Sequence, residues 1–163
     1  LQRRKKTIGR NYCRYEILEE AKMYKPKYFN EKEMRIDNKT PEEVKLNAYN
    51  LTEKVLDPLR DYVKKPITIN SWYRSPAYNE SVGGAKGSQH TKGEAVDLVI
   101  KGMPIEEIYA LIISLKLPFD QLILEYGNGT TWIHISLKRV GTNRKEVLKA
   151  VKTKGVWNYK KVN

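Results

Sequence analysis

The sequence predicts an α+β domain, a small antiparallel sheet with helices packed on one side. Three observations predict it. A long apolar stripe at helical spacing runs from Val44 to Tyr62. Four short runs rich in β-branched and aromatic residues follow, two of them joined by Gly127-Asn128-Gly129-Thr130, a hairpin turn. A second helical stretch stands between the second and third runs, so helices and strands mix without the regular alternation of a parallel sheet.

The elements follow in chain order. Residues 1–38 form a basic N-terminal extension with weak periodicity and many tyrosines, among them Tyr12, Tyr15, Tyr24 and Tyr28. A short helix is expected over Arg14 to Met23, and the extension reads as an arm packed on the domain or on a partner. The domain proper, 39–140, opens on Thr40-Pro41-Glu42-Glu43, which reads as a capping box with proline at the first helical position. Val44, Ala48, Leu51, Val55, Leu59 and Tyr62 then repeat at steps of three and four, as one buried helical face requires. Pro58 is expected to bend this helix, and Lys64-Lys65-Pro66 ends it. Ile67 to Ser71 reads as a strand, and Trp72 to Gly87 as a long loop of the kind that carries function. Glu94 to Ile100 is the second strand, Met103 to about Leu115 the second helix, and Phe119 to Tyr126 and Thr131 to Leu137 the hairpin strands. In the basic C-terminal segment, 141–163, the stretch Arg144 to Val151 suits a helix or a strand equally.

Composition narrows the function. With 31 Lys and Arg against 19 Asp and Glu, the net charge is +12, which favours encounter with polyanions such as nucleic acid, an anionic membrane surface or a cell-wall polymer. No nucleic-acid recognition motif accompanies the charge. Cys13 stands alone, so no internal disulfide framework exists. No apolar run reaches membrane-spanning length. The basic start, Leu1 to Lys6, lacks a following apolar stretch and does not read as a secretory signal.

The two histidines carry the chemistry. His90 lies in Ser88-Gln89-His90-Thr91-Lys92-Gly93-Glu94-Ala95-Val96-Asp97, and His134 in Trp132-Ile133-His134-Ile135-Ser136. Taken singly, each is more often structural than a ligand. Strand alternation changes that weighting. If Val96, Leu98 and Ile100, and Ile133, Ile135 and Leu137, face the helices, then Asp97 and His134 share the open face. A turn at Gly93 brings His90 toward them. Two imidazoles and a carboxylate are three ligands for a catalytic Zn²⁺, with a position left for water. Zinc lowers the pKa of its water from about 15.7 toward about 7 and polarises a carbonyl. A carboxylate must then carry the proton to the leaving amine. Glu125, beside the hairpin turn, is the first candidate and Asp120 the second.

These residues resemble a known family, the zinc D-Ala-D-Ala carboxypeptidases and related murein peptidases, which share a fold with the hedgehog signalling domain. The family pattern Ser-x-His-x-x-Gly-x-Ala-x-Asp is similar to the Ser88–Asp97 stretch. Ser71-Trp72-Tyr73-Arg74-Ser75-Pro76, Asn79 and Val82-Gly83-Gly84 resemble a second family stretch, and Asp120–Glu125 with Trp132–Ser136 its closing segment. The resemblance covers about residues 28 to 137. It implies zinc on His90, Asp97 and His134, a role for Arg74 on a substrate carboxylate or developing oxyanion, and a cleft lined by Ser88 and Gln89. Many relatives carry the catalytic carboxylate three residues before the second histidine. Thr131 stands there in this chain, and the hedgehog-like arrangement points to Glu125 instead. Trp72 replaces a usually small residue and is expected to reshape the cleft wall.

The resulting expectation is a zinc metallopeptidase that hydrolyses peptide bonds of bacterial peptidoglycan, as a D-Ala-D-Ala carboxypeptidase or a lysin-like murein endopeptidase. It would act at the bacterial cell wall, phage-encoded, virion-associated or released from an infected cell, with other virion or tail proteins as further partners. No specific nucleic acid and no membrane span are expected. The alternative is a non-catalytic zinc-containing module of the same fold, used for binding or structure.

Overall fold

A computed structural model describes residues 24–162. The helix expected over Arg14 to Met23 lies outside them. The fold is α+β, as expected. Its sheet has six strands in the order β1-β2-β4-β3-β5-β6, formed by β1 (Ile67–Ser71), β2 (Ala95–Ile100), β3 (Gln121–Gly127), β4 (Thr130–Ser136), β5 (Glu146–Thr153) and β6 (Val156–Lys161). Every neighbouring pair is antiparallel except β3 and β5, which run parallel.

The helices are α1 (Glu31–Met34), α2 (Glu42–Leu51), α3 (Asp57–Val63), α4 (Pro76–Ser81) and α5 (Ile105–Ser114). The core lies between them and one face of the sheet. Val96, Leu98, Ile133, Ile135, Leu122 and Leu124 meet Ala48, Leu51, Val55, Leu59, Ile108 and Ile112 there. Each such side chain, fully buried, stabilises the fold by roughly 1.5–3 kcal/mol before entropy is subtracted. The opposite face is left for the site.

Several local expectations are corrected. Thr40 does not cap α2. Its hydroxyl is engaged with Asp37, accepting from the Asp37 N–H at 3.0 Å and donating to Asp37 Oδ1 at 3.0 Å. Pro41 takes the N-cap place without a side-chain bond, and its carbonyl accepts from Val44 at 3.0 Å and Lys45 at 3.2 Å. Asp37 competes for the hydroxyl because it sits at turn spacing from it.

Pro58 does not merely bend the helix. Between α2 and α3 the chain makes a π-helical turn, Thr52–Leu56, in which the Asp57 N–H reaches back to the Thr52 carbonyl. Proline has no N–H to continue the α ladder, and the wider turn absorbs the loss. The extra residue rotates α3 relative to α2. Leu56 joins the core, whereas Tyr62, expected on the buried stripe, is 61% exposed.

The Trp72–Gly87 loop is not structureless. It contains α4, capped by the Ser75 hydroxyl, which accepts from the Tyr78 N–H. The segment after Lys138 resolves to strands, and β5 and β6 continue the sheet. Among the described residues no helix is long and apolar enough to cross a membrane.

Candidate metal centre

Register brings the site together. Asp97 on β2 sits directly opposite His134 on β4, and His134 opposite Ile123 on β3. Asp97 and His134 therefore stand side by side on the face turned away from the helices. His90 arrives from a 3₁₀ turn, Gln89–Lys92, which Gly93 ends with φ at 71°. The backbone ties the two motif stretches, since the Arg74 N–H donates to the His90 carbonyl at 3.1 Å.

The ligand atoms of His90, Asp97 and His134 all lie within 4.8 Å of one another. His90 Nε2 is 3.2 Å and His134 Nδ1 2.9 Å from Asp97 Oδ1. The imidazoles meet edge to face with centroids 5.1 Å apart. Zinc bound at about 2.0–2.2 Å to nitrogen and oxygen needs ligand atoms about this close. The donor set fits the metal chemically as well. His90 Nδ1 donates to the Trp72 carbonyl at 2.7 Å, which leaves the Nε2 lone pair aimed at the site. Burial, opposed by Asp97, lowers the pKa of His90 and keeps the ring neutral, as a ligand must be.

Asp97 responds in the opposite sense. Burial alone would raise its pKa, but the contacts with His134 and His90 outweigh burial and hold it below the usual carboxylate range. For His134 burial again works downward, and the Asp97 bond together with the charges of Asp97 and Glu125 reverses it, so the ring's pKa is raised. The trio without metal is thus a carboxylate between two imidazoles, one of them neutral, and a divalent cation could take the place of the proton shared with His134.

Arg74 lies on the edge of the trio. Its guanidinium donates to Asp97 Oδ2 at 2.8 Å and to Ser71 Oγ at 2.8 Å. Glu125 is on β3 beside Trp132 of β4 and lines the same cleft, whose volume is about 750 Å³. Burial pushes the Glu125 pKa up to about 7; His134 works against the shift and Asp97 with it. Ser88 and Gln89 line the cleft too. Ser88 caps the 3₁₀ turn by accepting from the His90 N–H at 3.4 Å, and Gln89 donates to Asp120 Oδ2 at 2.9 Å.

Asp120, the second candidate base, is absent from the cleft lining. It is fully buried and held by Arg144, Lys138 and Gln89. Thr131 is exposed. Trp72 does not reshape the cleft wall. Its ring is fully buried in the core, edge-on to Phe29, and only its carbonyl reaches the site, orienting His90. Sequence reasoning missed that carbonyl, because a backbone group has no residue-type signal. It also missed Arg144, just before β5, and Leu148, Trp157 and Tyr159 on the last two strands, all of which line the cleft.

The Asn79 and Gly84 positions shape the cleft's outer loop. A Cβ on Gly84 would lie 2.1 Å from Asn79 Oδ1, so only glycine lets that amide fold under the loop and donate to the Ala85 carbonyl at 3.1 Å.

No curated protein matches the chain. One family model does, that described as Peptidase M15, over residues 27–136, more than half of the chain and all three members of the trio. The chain therefore belongs to the peptidase M15 family, whose members are zinc-dependent metallopeptidases.

Proposed function

We propose that this protein is a zinc metallopeptidase that hydrolyses peptide bonds of bacterial peptidoglycan, as a D-Ala-D-Ala carboxypeptidase or a murein endopeptidase. The observation that carries the reading is the convergence of His90, Asp97 and His134 in one cleft with a half-buried carboxyl, Glu125, whose pKa is pushed up to about 7. His90, Asp97 and His134 would hold the metal. When bound, zinc supplies Lewis acidity toward a carbonyl and makes water a stronger acid.

The chain's own groups do the rest. The Trp72 carbonyl keeps His90 in one tautomer. Glu125 accepts a proton from the attacking water and gives it to the departing amine, a task suited to a pKa near neutrality. Arg74 fixes Asp97 and presents a guanidinium edge to a substrate carboxylate or to the oxyanion that develops on the carbonyl. A net charge of +12 supports the anionic cell wall as the place of action.

Incubation of the protein with defined muropeptides, followed by mass spectrometry with and without a chelator, tests the proposal. Loss of a terminal residue or scission of a stem or cross-bridge bond, suppressed by the chelator and restored by zinc, is the expected result. Zinc retention with no hydrolysis of any muropeptide would instead mark a binding module.

A further inference from the structure

We propose that the β5–β6 hairpin, which lies beyond the stretch matched to the family, builds a second substrate subsite, in which Arg144 takes a free side-chain carboxylate of the peptide and Leu148, Trp157 and Tyr159 take its apolar stem. The inference rests on the peptidase reading for the identity of the ligand as a peptide.

The topology creates the subsite. The parallel pairing of β5 with β3 sets Leu148 beside Ile123 and Ala150 beside Glu125. The β5–β6 pairing then sets Tyr159 beside Ala150. Ala150 is small and fully buried, so the sheet has a low floor between Glu125 and Tyr159. Trp157 stands at one end, its ring edge-on to Trp132 at 5.7 Å. Gly127 permits this approach, since a Cβ there would lie 2.9 Å from Trp157 and 3.0 Å from Trp132.

Arg144 is a built cation rather than a loose surface charge. Its backbone N–H donates to Asp120 Oδ1 at 2.8 Å, and its Nε and Nη2 both donate to Asp120 Oδ2, at 3.0 and 2.5 Å, while Asp120 itself is fully buried. The remaining nitrogen, Nη1, is 3.5 Å from Glu146, and the side chain is about half exposed in the cleft. The charged neighbours here are Asp120, Glu146, Lys138, Lys161 and, through Lys138 and Asp120, Glu94. Lys138 shares Asp120 with Arg144 and Lys161 lies 3.9 Å from Glu146, so Arg144 is not the sole partner of either carboxylate. A planar guanidinium held by one face retains N–H groups for a second carboxylate. Arg74 and Arg144 thus flank the trio from opposite sides of β4, one toward β1 and β2, the other toward β5.

The test uses the full chain loaded with zinc. Its probes are matched synthetic peptides of mixed D and L residues that differ only in one side chain, carboxylate or carboxamide, with that position moved along the peptide. Binding is read by calorimetry and cleavage by mass spectrometry. At one position the carboxylate peptide should bind about 10- to 100-fold tighter, the range of one charge-assisted hydrogen-bond pair. Arg144→Gln should bring that ratio to within about threefold of unity. Tyr159→Ala, a change at an exposed side chain that does not threaten folding, should weaken both peptides together by about tenfold. If Arg144→Gln does not fold, Arg144→Lys should still cut the ratio severalfold, because it keeps the charge and loses the fork. A wild-type chain without carboxylate preference, or a preference that survives in the Arg144 variant, overturns the subsite. Preferential binding without cleavage keeps the subsite and removes the peptidase reading; cleavage without preference does the reverse.

Discussion

Asp97 and Asp120 are both buried, and both are held below the usual carboxylate range. Their partners differ in kind. Asp97 is shared by two imidazoles and one guanidinium, Asp120 by a guanidinium, an ammonium and an amide. An imidazole can surrender its proton and offer a lone pair, whereas arginine and lysine can only donate. The Asp97 cluster can therefore exchange protons for a metal ion, and the Asp120 cluster cannot. Burial and a depressed pKa do not by themselves mark a functional carboxylate. What its neighbours can become does.

The strongest test of this contrast crosses the two residues. Asp97→Ala should abolish zinc retention and muropeptide hydrolysis together, measured by metal analysis of the purified protein and by mass spectrometry. Asp120→Ala should leave the three metal ligands in place but lower the stability by about 2–3 kcal/mol in urea unfolding, because it strands Arg144 and Lys138 against a buried hole. A variant Asp120→Ala without bound zinc would break the comparison.

Glu125→Gln sharpens it next. The variant should retain zinc and lose about 10²- to 10⁴-fold in turnover. In the wild type, turnover should fall as pH drops through the Glu125 pKa, at or below about 7, since zinc's charge moves the carboxyl downward. The sign for stability is opposite. A carboxyl whose pKa is raised from 4.5 to about 7 on folding favours the folded chain fully below about 4.5 and not above about 7. Metal-free Glu125→Gln should therefore melt above the metal-free wild type at pH 8 and level with it at pH 4, checked by calorimetry.

The smallest effect is expected from Gly127→Ala. Its Cβ forces the Trp132 and Trp157 rings apart by a few tenths of an ångström, which should alter near-ultraviolet circular dichroism while zinc content stays constant. An unchanged tryptophan signal would show that the pair does not depend on that glycine.

The metal trio was readable in the sequence because two short-range rules suffice for it. Alternation along β2 and β4 places Asp97 and His134 on one face, and Gly93 supplies the turn for His90. The hairpin strands and the second helix were readable for the same reason. Beyond that the rules ran out. Asp37 and Pro41 compete with Thr40 for the start of α2, and nothing in the spacing says which wins. The π turn at Thr52–Leu56 shifts the helical phase, so Tyr62 leaves the stripe that periodicity assigns it. The cleft's far wall depends on a parallel pairing of β3 with β5 across a connection, and a strand such as Glu146–Thr153, with lysines between its apolar residues, does not declare its partner. Trp72 occupies a motif slot, yet its ring turns inward and only its carbonyl serves the site.

The glycine that ends the turn after His90 also joins the ligand loop to the core. A Cβ at Gly93 would lie 2.5 Å from the Val44 carbonyl, and Asn47 on the same helix donates to the Lys92 carbonyl at 2.9 Å. The loop is seated directly on the first turns of α2, whose other side is Ala48 and Leu51 in the core. Stiffness of the candidate ligand set is therefore borrowed from hydrophobic packing several residues away. Enlarging or emptying the space around Ala48 and Leu51 should weaken ion retention at temperatures where the chain is still folded.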